Sequence, residues 1–248
     1  MKLNATHRTI ESLQCLVIDG LKEGEDPKFL VILNHGFGAS GDDLADLAPM
    51  LIQESEAIAE SCRFVFPEAP VDLTSVGMPG GRAWWPINMA KLAEMNQTRN
   101  YSELTLLKPP GMESAANMLV KSLRSMLQEW KLNEGQLVLG GFSQGAMVST
   151  HVTLENRLQV AMLALFSGTL LNSEEWKSLA VAHPGCPVFQ SHGYQDPILP
   201  FHPSEELRDL LQNAGFDVEF QAFHGPHTIP MSALQRFQER LEQLCGNG

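Results

Sequence analysis

The 248-residue sequence lacks long apolar runs and blocks of basic residues. No apolar run approaches the about 20 residues that cross a bilayer, so we expect no membrane-spanning segment. The first residues also lack the apolar core of a signal peptide, which favours a cytoplasmic location. With 17 Lys and Arg against 29 Asp and Glu, the formal net charge is −12, which argues against a nucleic-acid partner and against binding to an anionic membrane.

Cysteine is scarce as well. The sequence has four scattered cysteines without CxxC spacing: Cys15, Cys62, Cys186 and Cys245. We predict that they are buried, reduced thiols that pack as small hydrophobes, with a disulfide or a metal site as the alternative. No two histidines have the HxxxH or HxH spacing of a metal site. We therefore expect a protein that uses neither a metal ion nor an organic cofactor.

The sequence does contain a regular alternation of short apolar runs and helical patterns. Runs rich in Val, Ile, Leu and Phe predict strands at 13–19, 29–35, 63–67, 136–141, 160–168, 187–193 and 217–223. Several of them lack polar/apolar alternation, as expected for strands covered on both faces. Helices are predicted at 42–53, 112–131, 144–155, 173–180, 204–214 and 230–244. This order predicts an α/β fold with a mostly parallel central sheet and helices on both faces.

The alternation continues without a linker, so one domain over residues 1–248 fits better than two. Its exception is segment 71–111, where Gly, Pro, Met and Trp occur without a sustained period. About 40 residues is long for a connection, and such excursions are usually functional or disordered. The adjacent Trp84 and Trp85 argue against disorder. We therefore expect segment 71–111 to be an irregular excursion that forms a pocket or a lid.

The stretch VLGGFSQGAM, residues 138–147, places Ser143 between Gly141 and Gly145. This is the G-x-S-x-G pattern of a nucleophile held in a strained strand-to-helix turn, where a side chain at either glycine would clash with neighbouring backbone. The alternative is a glycine-rich loop that happens to hold a serine. The position after a predicted buried strand and before a predicted helix favours a nucleophilic serine.

A nucleophilic serine needs a base to take its proton and a carboxylate to orient that base. In this fold both follow the serine in the chain, with the acid first. Asp196 comes directly after the predicted strand 187–193, while His224 and His227 both follow the last predicted strand. We predict His227 as the base because it lies beyond the 225–226 turn and before the final helix. His224 is then a structural residue at the end of the strand.

The serine also needs an oxyanion hole made of backbone N–H donors. One donor is the residue after the nucleophile, Gln144, at the N-terminus of a predicted helix. The second usually comes from a loop after an early strand. The predicted strand 29–35 runs into the loop sequence HGFGASG, whose glycines permit a close backbone approach. We predict that Phe37 supplies the second N–H.

These stretches resemble the acyl-protein thioesterase and bacterial phospholipase/carboxylesterase family of serine hydrolases. The similarity runs through LNHGFGASGDDL, FVFPEAP, GGFSQGAM, SHGYQDPILP and FHGPHTIP in the family's order, within residues 31–230. The combination of GFSQG with SHGxxDPxxP is specific, because a generic α/β-hydrolase shares only the serine turn. The resemblance implies an α/β-hydrolase fold and ester or thioester hydrolysis, with five functional residues: Ser143, Asp196 and His227 as the triad, and Phe37 and Gln144 as oxyanion donors.

The sequence departs from this family within segment 71–111, because residues 73–110 are longer and different where relatives shape the acyl pocket. Adjacent residues of an extended segment point to opposite sides, so Trp84 and Trp85 are predicted to face different surroundings. We predict that Trp85 faces the cleft and that Trp84 packs on the body of the protein, with Met78 as a further pocket residue. The alternative places both tryptophans in a satellite core.

The leading hypothesis is a serine carboxylesterase or thioesterase that hydrolyses small to medium acyl esters through an acyl-enzyme intermediate. The expected partner is thus a small-molecule acyl ester or thioester. A lysophospholipase is the second enzymatic hypothesis. The acidic net charge and the lack of a basic amphipathic helix argue against catalysis at a lipid–water interface. The non-enzyme alternative is a degenerate hydrolase fold that serves as a binding module; it predicts loss of a triad residue, and all three positions are occupied.

Overall fold

A computed structural model describes residues 2–246. Within these residues the strands are β1 (Asn4–Ile10), β2 (Leu13–Asp19), β3 (Phe29–Asn34), β4 (Cys62–Pro67), β5 (Val71–Asp72), β6 (Arg82–Ala83), β7 (Leu137–Phe142), β8 (Met162–Phe166), β9 (Pro187–Gly193) and β10 (Asp217–Phe223). The helices are α1 (Leu47–Glu54), α2 (Glu56–Ala59), α3 (Met89–Thr98), α4 (Ser102–Leu106), α5 (Met112–Glu129), α6 (Gln144–Glu155), α7 (Ser173–Ala180), α8 (Phe201–Asn213) and α9 (Met231–Gly246). In this described part of the chain, no helix combines the length and the apolar character that a membrane span requires.

Eight strands form one sheet in the order β1-β2-β4-β3-β7-β8-β9-β10, and β5 pairs with β6 in a separate two-stranded sheet. β1 and β2 form an antiparallel hairpin, and β2 is antiparallel to β4. From β4 to β10 the neighbouring strands of the large sheet are parallel. The carboxyl ends of these parallel strands therefore meet at one edge of the sheet, where α/β proteins bind their ligands.

Both faces of the sheet are apolar because helices cover both. Successive residues of β3 from Leu30 to Leu33 alternate between two hydrophobic clusters, as the two-residue period of a strand requires. Helices α5, α6, α7 and α8 contribute to the cluster on one face, and α1, α2 and α9 contribute to the cluster on the other. The prediction of a mostly parallel sheet with helices on both faces is confirmed.

All seven predicted strands are present, with small shifts at their ends, but β1 was not predicted. β1 lies at an edge of the sheet, and most of its residues are exposed, with only Ile10 fully buried. It therefore has no apolar run that marks it in the sequence. Its place in the sheet comes from pairing with β2 along its whole length, from Asn4 opposite Asp19 to Ile10 opposite Leu13.

Two predicted helices begin elsewhere, and the short α2 was not predicted. The helix predicted at 42–53 starts at Leu47, because turns occupy the preceding residues. The helix predicted at 204–214 starts at Phe201, which places Pro203 in the first turn, where a missing N–H costs no intrahelical hydrogen bond. α2 begins after Ser55, whose hydroxyl accepts a hydrogen bond from the N–H of Ile58 at 3.5 Å.

Part of segment 71–111 is regular, which corrects the expectation of an irregular excursion. The β5–β6 hairpin and the helices α3 and α4 lie within it. Asn88 caps α3, since its side chain accepts a hydrogen bond from the N–H of Lys91 at 3.0 Å. The buried residues of α3 are Leu92 and Met95 alone, so its apolar face is too sparse to show a helical period in the sequence.

The four cysteines are buried free thiols, as predicted. The sulfur atoms of Cys62 and Cys245 lie 3.7 Å apart, well beyond the about 2.05 Å of a disulfide bond. Burial raises the pKa of Cys15 to about 12 and the pKa of Cys186 to about 11. These two thiols therefore stay protonated at neutral pH and act as small core residues.

Candidate active site

Ser143 occupies the turn between β7 and α6. Its backbone has φ 55° and ψ −118°, which a residue with a side chain adopts only where its surroundings enforce it. Its N–H donates a hydrogen bond of 2.8 Å to the carbonyl of Phe166, which ties the turn to the end of β8. Ser143 thus lies at the carboxyl edge of the sheet in the strained turn that the sequence pattern predicts.

The glycines on either side of Ser143 are required by close backbone contacts. A Cβ on Gly141 would lie 2.2 Å from the carbonyl oxygen of Asn34, and a Cβ on Gly145 would lie 1.8 Å from the same oxygen. Real Cβ atoms essentially never come within 3.0 Å of such an atom. The predicted steric reason for the two glycines is confirmed, because the turn packs directly against the end of β3.

We expect Gly145→Ala to lower the free energy of unfolding by more than about 3 kcal/mol, because no side-chain rotation can relieve a clash between Cβ and backbone. Urea denaturation followed by circular dichroism measures this. Gly246→Ala is the matched control, since a Cβ there meets no atom within 4 Å, and it should change the stability by less than about 0.5 kcal/mol. Equal stabilities of the two variants would contradict the steric explanation.

Asp196 lies in the loop after β9, and its side chain is fully buried. Its Oδ1 accepts hydrogen bonds from the backbone N–H groups of Ile198, at 2.8 Å, and Leu199, at 2.9 Å. Its Oδ2 lies 2.6 Å from Nδ1 of His227. Two backbone donors prevent the carboxylate from rotating, so Asp196 presents one oxygen to the imidazole in a fixed direction.

The structure brings His227, rather than His224, to Asp196. The His227 ring packs on Phe142, the residue before Ser143, with ring centroids 4.6 Å apart. His224 is exposed, and its ring contacts Tyr194 instead, at 5.0 Å. Because Nδ1 of His227 faces a carboxylate, that nitrogen carries the proton, and Nε2 is left with the lone pair that a general base needs.

Phe37 follows β3 in a loop that touches the serine turn. A Cβ on Gly36 would lie 3.3 Å from Cβ of Ser143, so the loop passes close to the nucleophile position. The N–H of Gly38 donates to the carbonyl of Arg82 at 2.8 Å, which holds the far side of the loop. Among residues 2–246 the N–H groups of Phe37 and Gln144 have no backbone acceptor. Such an unpaired N–H is what the predicted role of these two residues as oxyanion donors requires.

The side chain of Gln144 has a second role that sequence reasoning missed. Its Oε1 accepts a hydrogen bond from the N–H of Trp84 at 2.9 Å, and its Nε2 donates to the carbonyl of Trp85 at 2.8 Å. The buried amide thus attaches segment 71–111 to the serine turn. No local signal could have revealed this contact, because the partners are 60 and 59 residues away in the chain.

Segment 71–111 also contacts the other two loops of the site. Nδ2 of Asn96 donates to the carbonyls of Pro197, at 3.0 Å, and Ile198, at 3.1 Å, directly after Asp196. The indole N–H of Trp84 donates to the carbonyl of His35, before the Phe37 loop, at 3.1 Å. The segment therefore links the serine turn, the acid loop and the loop of Phe37.

His35 supports the Phe37 loop, and sequence reasoning did not single out this role. Its Nε2 accepts a hydrogen bond from the N–H of Ala69 at 3.0 Å, and its Nδ1 donates to the carbonyl of Gly36 at 2.8 Å. Burial lowers the pKa of His35, so the ring is neutral at pH 7, as an accepting Nε2 requires. The neutral ring fixes the backbone next to Phe37.

Trp84 and Trp85 are both buried, with 1% and 2% exposure, in the same hydrophobic cluster. This placement agrees with the alternative in which both tryptophans belong to the core. Met78 is exposed, and its Cε would lie 2.5 Å from a Cβ on Gly38, so it lies against the Phe37 loop. A role of the three side chains in the substrate pocket stays a prediction.

A surface depression of about 1100 Å³ lies by the β1–β2 hairpin and the end of α5. Two ion pairs lie in its lining: Arg8 contacts Glu129 at 2.8 Å, and Arg63 contacts Asp19 at 2.6 Å. Arg63 also lies over the ring of Trp130, with the guanidinium carbon 4.9 Å from the centroid. These contacts join strands to α5, whereas the serine, aspartate and histidine lie at the carboxyl edge of the sheet.

A parallel sheet with a serine in a strained strand-to-helix turn, followed in the chain by a hydrogen-bonded aspartate and histidine, defines a serine hydrolase with the α/β-hydrolase fold. In residues 2–246 no group of three or more His, Cys, Asp or Glu side chains is placed to hold a metal ion.

Residues 21–245 of this chain match a protein family described as Phospholipase/Carboxylesterase. Acyl-protein thioesterase 1 of Mycosarcoma maydis is 30% identical over 244 residues, which cover 94% of this chain and 95% of the relative. Acyl-protein thioesterase 1 of Debaryomyces hansenii is 28% identical over 222 residues, which cover 86% of this chain and 87% of the relative. The chain belongs to the Phospholipase/Carboxylesterase family, and it is a serine hydrolase of the esterase and thioesterase class.

Solved structures agree with this assignment. The crystal structure of esterase PE8 is 25% identical in sequence and has a TM-score of 0.73. The similarity covers 98% of this chain and 99% of the esterase chain. The structure of TT1662 from Thermus thermophilus is 17% identical, with a TM-score of 0.72 and 99% coverage of both chains. At that identity the second similarity shows the fold alone.

Proposed function

We propose that this protein is a carboxylesterase or thioesterase for small to medium acyl chains, with Ser143 as nucleophile, His227 as base and Asp196 as the acid that orients it. The observation that carries the proposal is the 2.6 Å contact between Nδ1 of His227 and Oδ2 of Asp196, next to the turn that holds Ser143. A serine hydroxyl is a weak nucleophile by itself, and this pair is the group that activates it in serine hydrolases.

In the first half of the proposed reaction, Oγ of Ser143 attacks the acyl carbonyl carbon while Nε2 of His227 takes the hydroxyl proton. The carbonyl oxygen becomes an oxyanion, and the N–H groups of Phe37 and Gln144 donate hydrogen bonds to it. Asp196 stabilises the imidazolium. The bond to the leaving alcohol or thiol then breaks as His227 returns the proton to it, and the acyl group remains on Ser143.

In the second half, water attacks the acyl-serine carbonyl while His227 takes one proton from the water. The same two N–H donors hold the second oxyanion. The ester bond to Ser143 breaks, His227 protonates the serine oxygen, and the carboxylic acid leaves. The chain's own residues supply every proton transfer, so the proposal requires no metal ion or organic cofactor.

We propose an acyl ester or acyl thioester of a small molecule as the substrate. The name of the fungal relatives, acyl-protein thioesterase, supports the thioester, and the crystal structure titled esterase PE8 supports the ester. Exposed apolar side chains near the site suit an acyl chain: Met78 lies against the Phe37 loop, Ile198 follows Asp196, and Met231 begins α9 after His227. A cytoplasmic setting is proposed from the four buried free thiols.

The test is kcat/KM for p-nitrophenyl esters from acetate to palmitate, beside acyl-coenzyme A thioesters and a lysophospholipid. Each buried methylene contributes about 0.8 kcal/mol, so kcat/KM should rise about fourfold per added carbon through the short chains. We expect it to level off at medium chains and to exceed the rate on the lysophospholipid. Hydrolysis of the lysophospholipid in preference to every ester would favour the interfacial alternative, and no hydrolysis of any substrate would contradict the proposal.

A further inference from the structure

A second histidine, His192, lies against the carboxylate of Asp196. It belongs to β9, four residues before the aspartate, and it is completely buried. Its Nε2 lies 2.7 Å from the carbonyl oxygen of Leu199 and 3.3 Å from Oδ2 of Asp196. Oδ2 is the same oxygen that contacts His227, so the aspartate lies between two imidazole rings.

The protonation of His192 follows from these contacts. Both groups that face its Nε2 are oxygen acceptors, so this nitrogen carries a proton. Burial lowers the pKa of His192, so the ring is neutral at pH 7, and a single N–H points toward Leu199 with Asp196 as a second, longer partner. His192 therefore brings a dipole to the aspartate rather than a competing positive charge.

The donors around Asp196 divide into two sets. Oδ1 accepts the N–H groups of Ile198 and Leu199, and Oδ2 faces His227 and His192. The carbonyl of Leu199 in turn accepts the N–H of His192, so the two backbone groups of Leu199 connect Asp196 with His192. The loop from Asp196 to Leu199 is thus closed onto β9 by His192.

We propose that His192 is a positioning residue for the triad: its Nε2–H holds the carbonyl of Leu199 and one side of Oδ2 of Asp196, which fixes the carboxylate and partly offsets its negative charge. This inference rests on the proposed roles of Ser143, Asp196 and His227. A carboxylate whose charge is partly offset stabilises the imidazolium of His227 less, so His192 tempers how strongly Asp196 favours the protonated ring.

The groups packed around His192 allow a pH test. The titratable groups that face it are Asp196, in the loop after β9, and His227, in the loop after β10. From α8, the uncharged ring of Phe201 packs on it, with centroids 6.1 Å apart. From the loop after β8, the backbone of Gly168 faces it. The acidic limb is the part of the pH–rate profile in which the rate falls as the pH is lowered. A change in this limb is therefore attributable to the pair of Asp196 and His227.

The experiment measures the rate at which a fluorophosphonate labels Ser143 as a function of pH. In His192→Leu, which removes the N–H, we expect the acidic limb to move up by about one pH unit, because a carboxylate whose charge is no longer offset stabilises the imidazolium more strongly. The labelling rate on the plateau above this limb should fall about tenfold, because the carbonyl of Leu199 loses the N–H donor of His192. His192→Gln keeps an N–H within reach of both oxygens, so it should leave the limb within about 0.3 units of the wild type.

His183→Leu is the matched control, because His183 is also completely buried and its ring packs on Phe216, away from the triad. It should lower the melting temperature without moving the limb. A limb in His192→Leu that coincides with the wild-type limb overturns the positioning role. Absence of any label on wild-type Ser143 would instead contradict the proposed nucleophile, so the two failures are distinguishable.

A measurement on the wild type keeps the inference testable if His192→Leu does not fold. In an NMR titration of histidine-labelled protein, the Nε2–H resonance of His192 should shift with the same midpoint as the ring of His227, because both face Oδ2 of Asp196. A resonance that stays constant while His227 titrates would overturn the proposal.

Discussion

Ser143→Ala is expected to lower kcat for p-nitrophenyl acetate by about 10⁴–10⁶-fold while the protein stays folded. The reason is that the triad acts as a unit: without the serine hydroxyl, His227 has no nucleophile to deprotonate, and the oxyanion donors alone give a small residual rate. The fold should persist because the strained turn is held by backbone contacts, including the N–H of residue 143 to the carbonyl of Phe166. Circular dichroism and a thermal melt check the fold.

The control for this change is Ser114→Ala, an exposed serine on α5. Alanine suits a helix surface at least as well as serine, so this variant should keep wild-type kcat. A fluorophosphonate should label the wild type and Ser114→Ala at residue 143, as mass spectrometry of the digested protein would show. Turnover or labelling that persists in Ser143→Ala would place the nucleophile elsewhere.

His227→Ala is expected to lower kcat about as much as Ser143→Ala, by about 10⁴–10⁶-fold, because Ser143 then has no group to take its proton. The loss of the imidazole also leaves Oδ2 of the buried Asp196 without its 2.6 Å contact. Some stability should be lost with it, since this buried oxygen then keeps only the longer, 3.3 Å contact with Nε2 of His192. The measurement is kcat for p-nitrophenyl acetate, with urea denaturation to separate the two effects.

The chain offers its own control for His227, because His224 lies three residues earlier in the same loop. His224 is exposed, and Nδ1 of its ring lies 3.4 Å from Nε2 of Gln195. His224→Ala should therefore keep kcat within about threefold of the wild type. If His224→Ala were the more damaging change, the assignment of the base to His227 would be wrong.

Much of the fold could be predicted because its signals are local. The parallel strands are covered on both faces, so β3, with every residue buried, appears as an unbroken apolar run in the sequence. The edge strand β1 and the helix α3 bury few side chains, so they have no comparable signal. Their positions depend on strand pairing with β2 and on contacts such as that between Asn96 and the carbonyl of Pro197.

The main residues of the candidate site could also be predicted, because their order and spacing follow from the fold. The turn around Ser143 requires glycines where backbone of the neighbouring strand comes close, and this requirement is visible as a local pattern. The support of that turn was not visible. The side chain of Gln144 binds backbone of Trp84 and Trp85, and any residue can supply backbone groups, so no sequence pattern identifies the partners.

The tryptophans show why burial is harder to predict than strand or helix. The two-residue period of an extended chain predicts opposite directions for Trp84 and Trp85, and yet both are buried in one cluster. Residues of the helices α3, α4 and α5 belong to the same cluster, so both indole rings pack among apolar side chains from distant parts of the chain. Which surfaces are core and which are cleft depends on these long-range contacts.

Local patterns in the chain are enough to predict the α/β architecture, the strained serine turn and the order of serine, aspartate and histidine, because each depends on local periodicity or on the steric needs of a short stretch. The side-chain contacts follow from the three-dimensional arrangement: His227 rather than His224 meets Asp196, and His192 lies on the other side of the same carboxylate. Those contacts join the ends of different strands. They depend on the order and register in which β9 and β10 pair. That register is specified by hydrogen bonds between parts of the backbone that are distant in sequence.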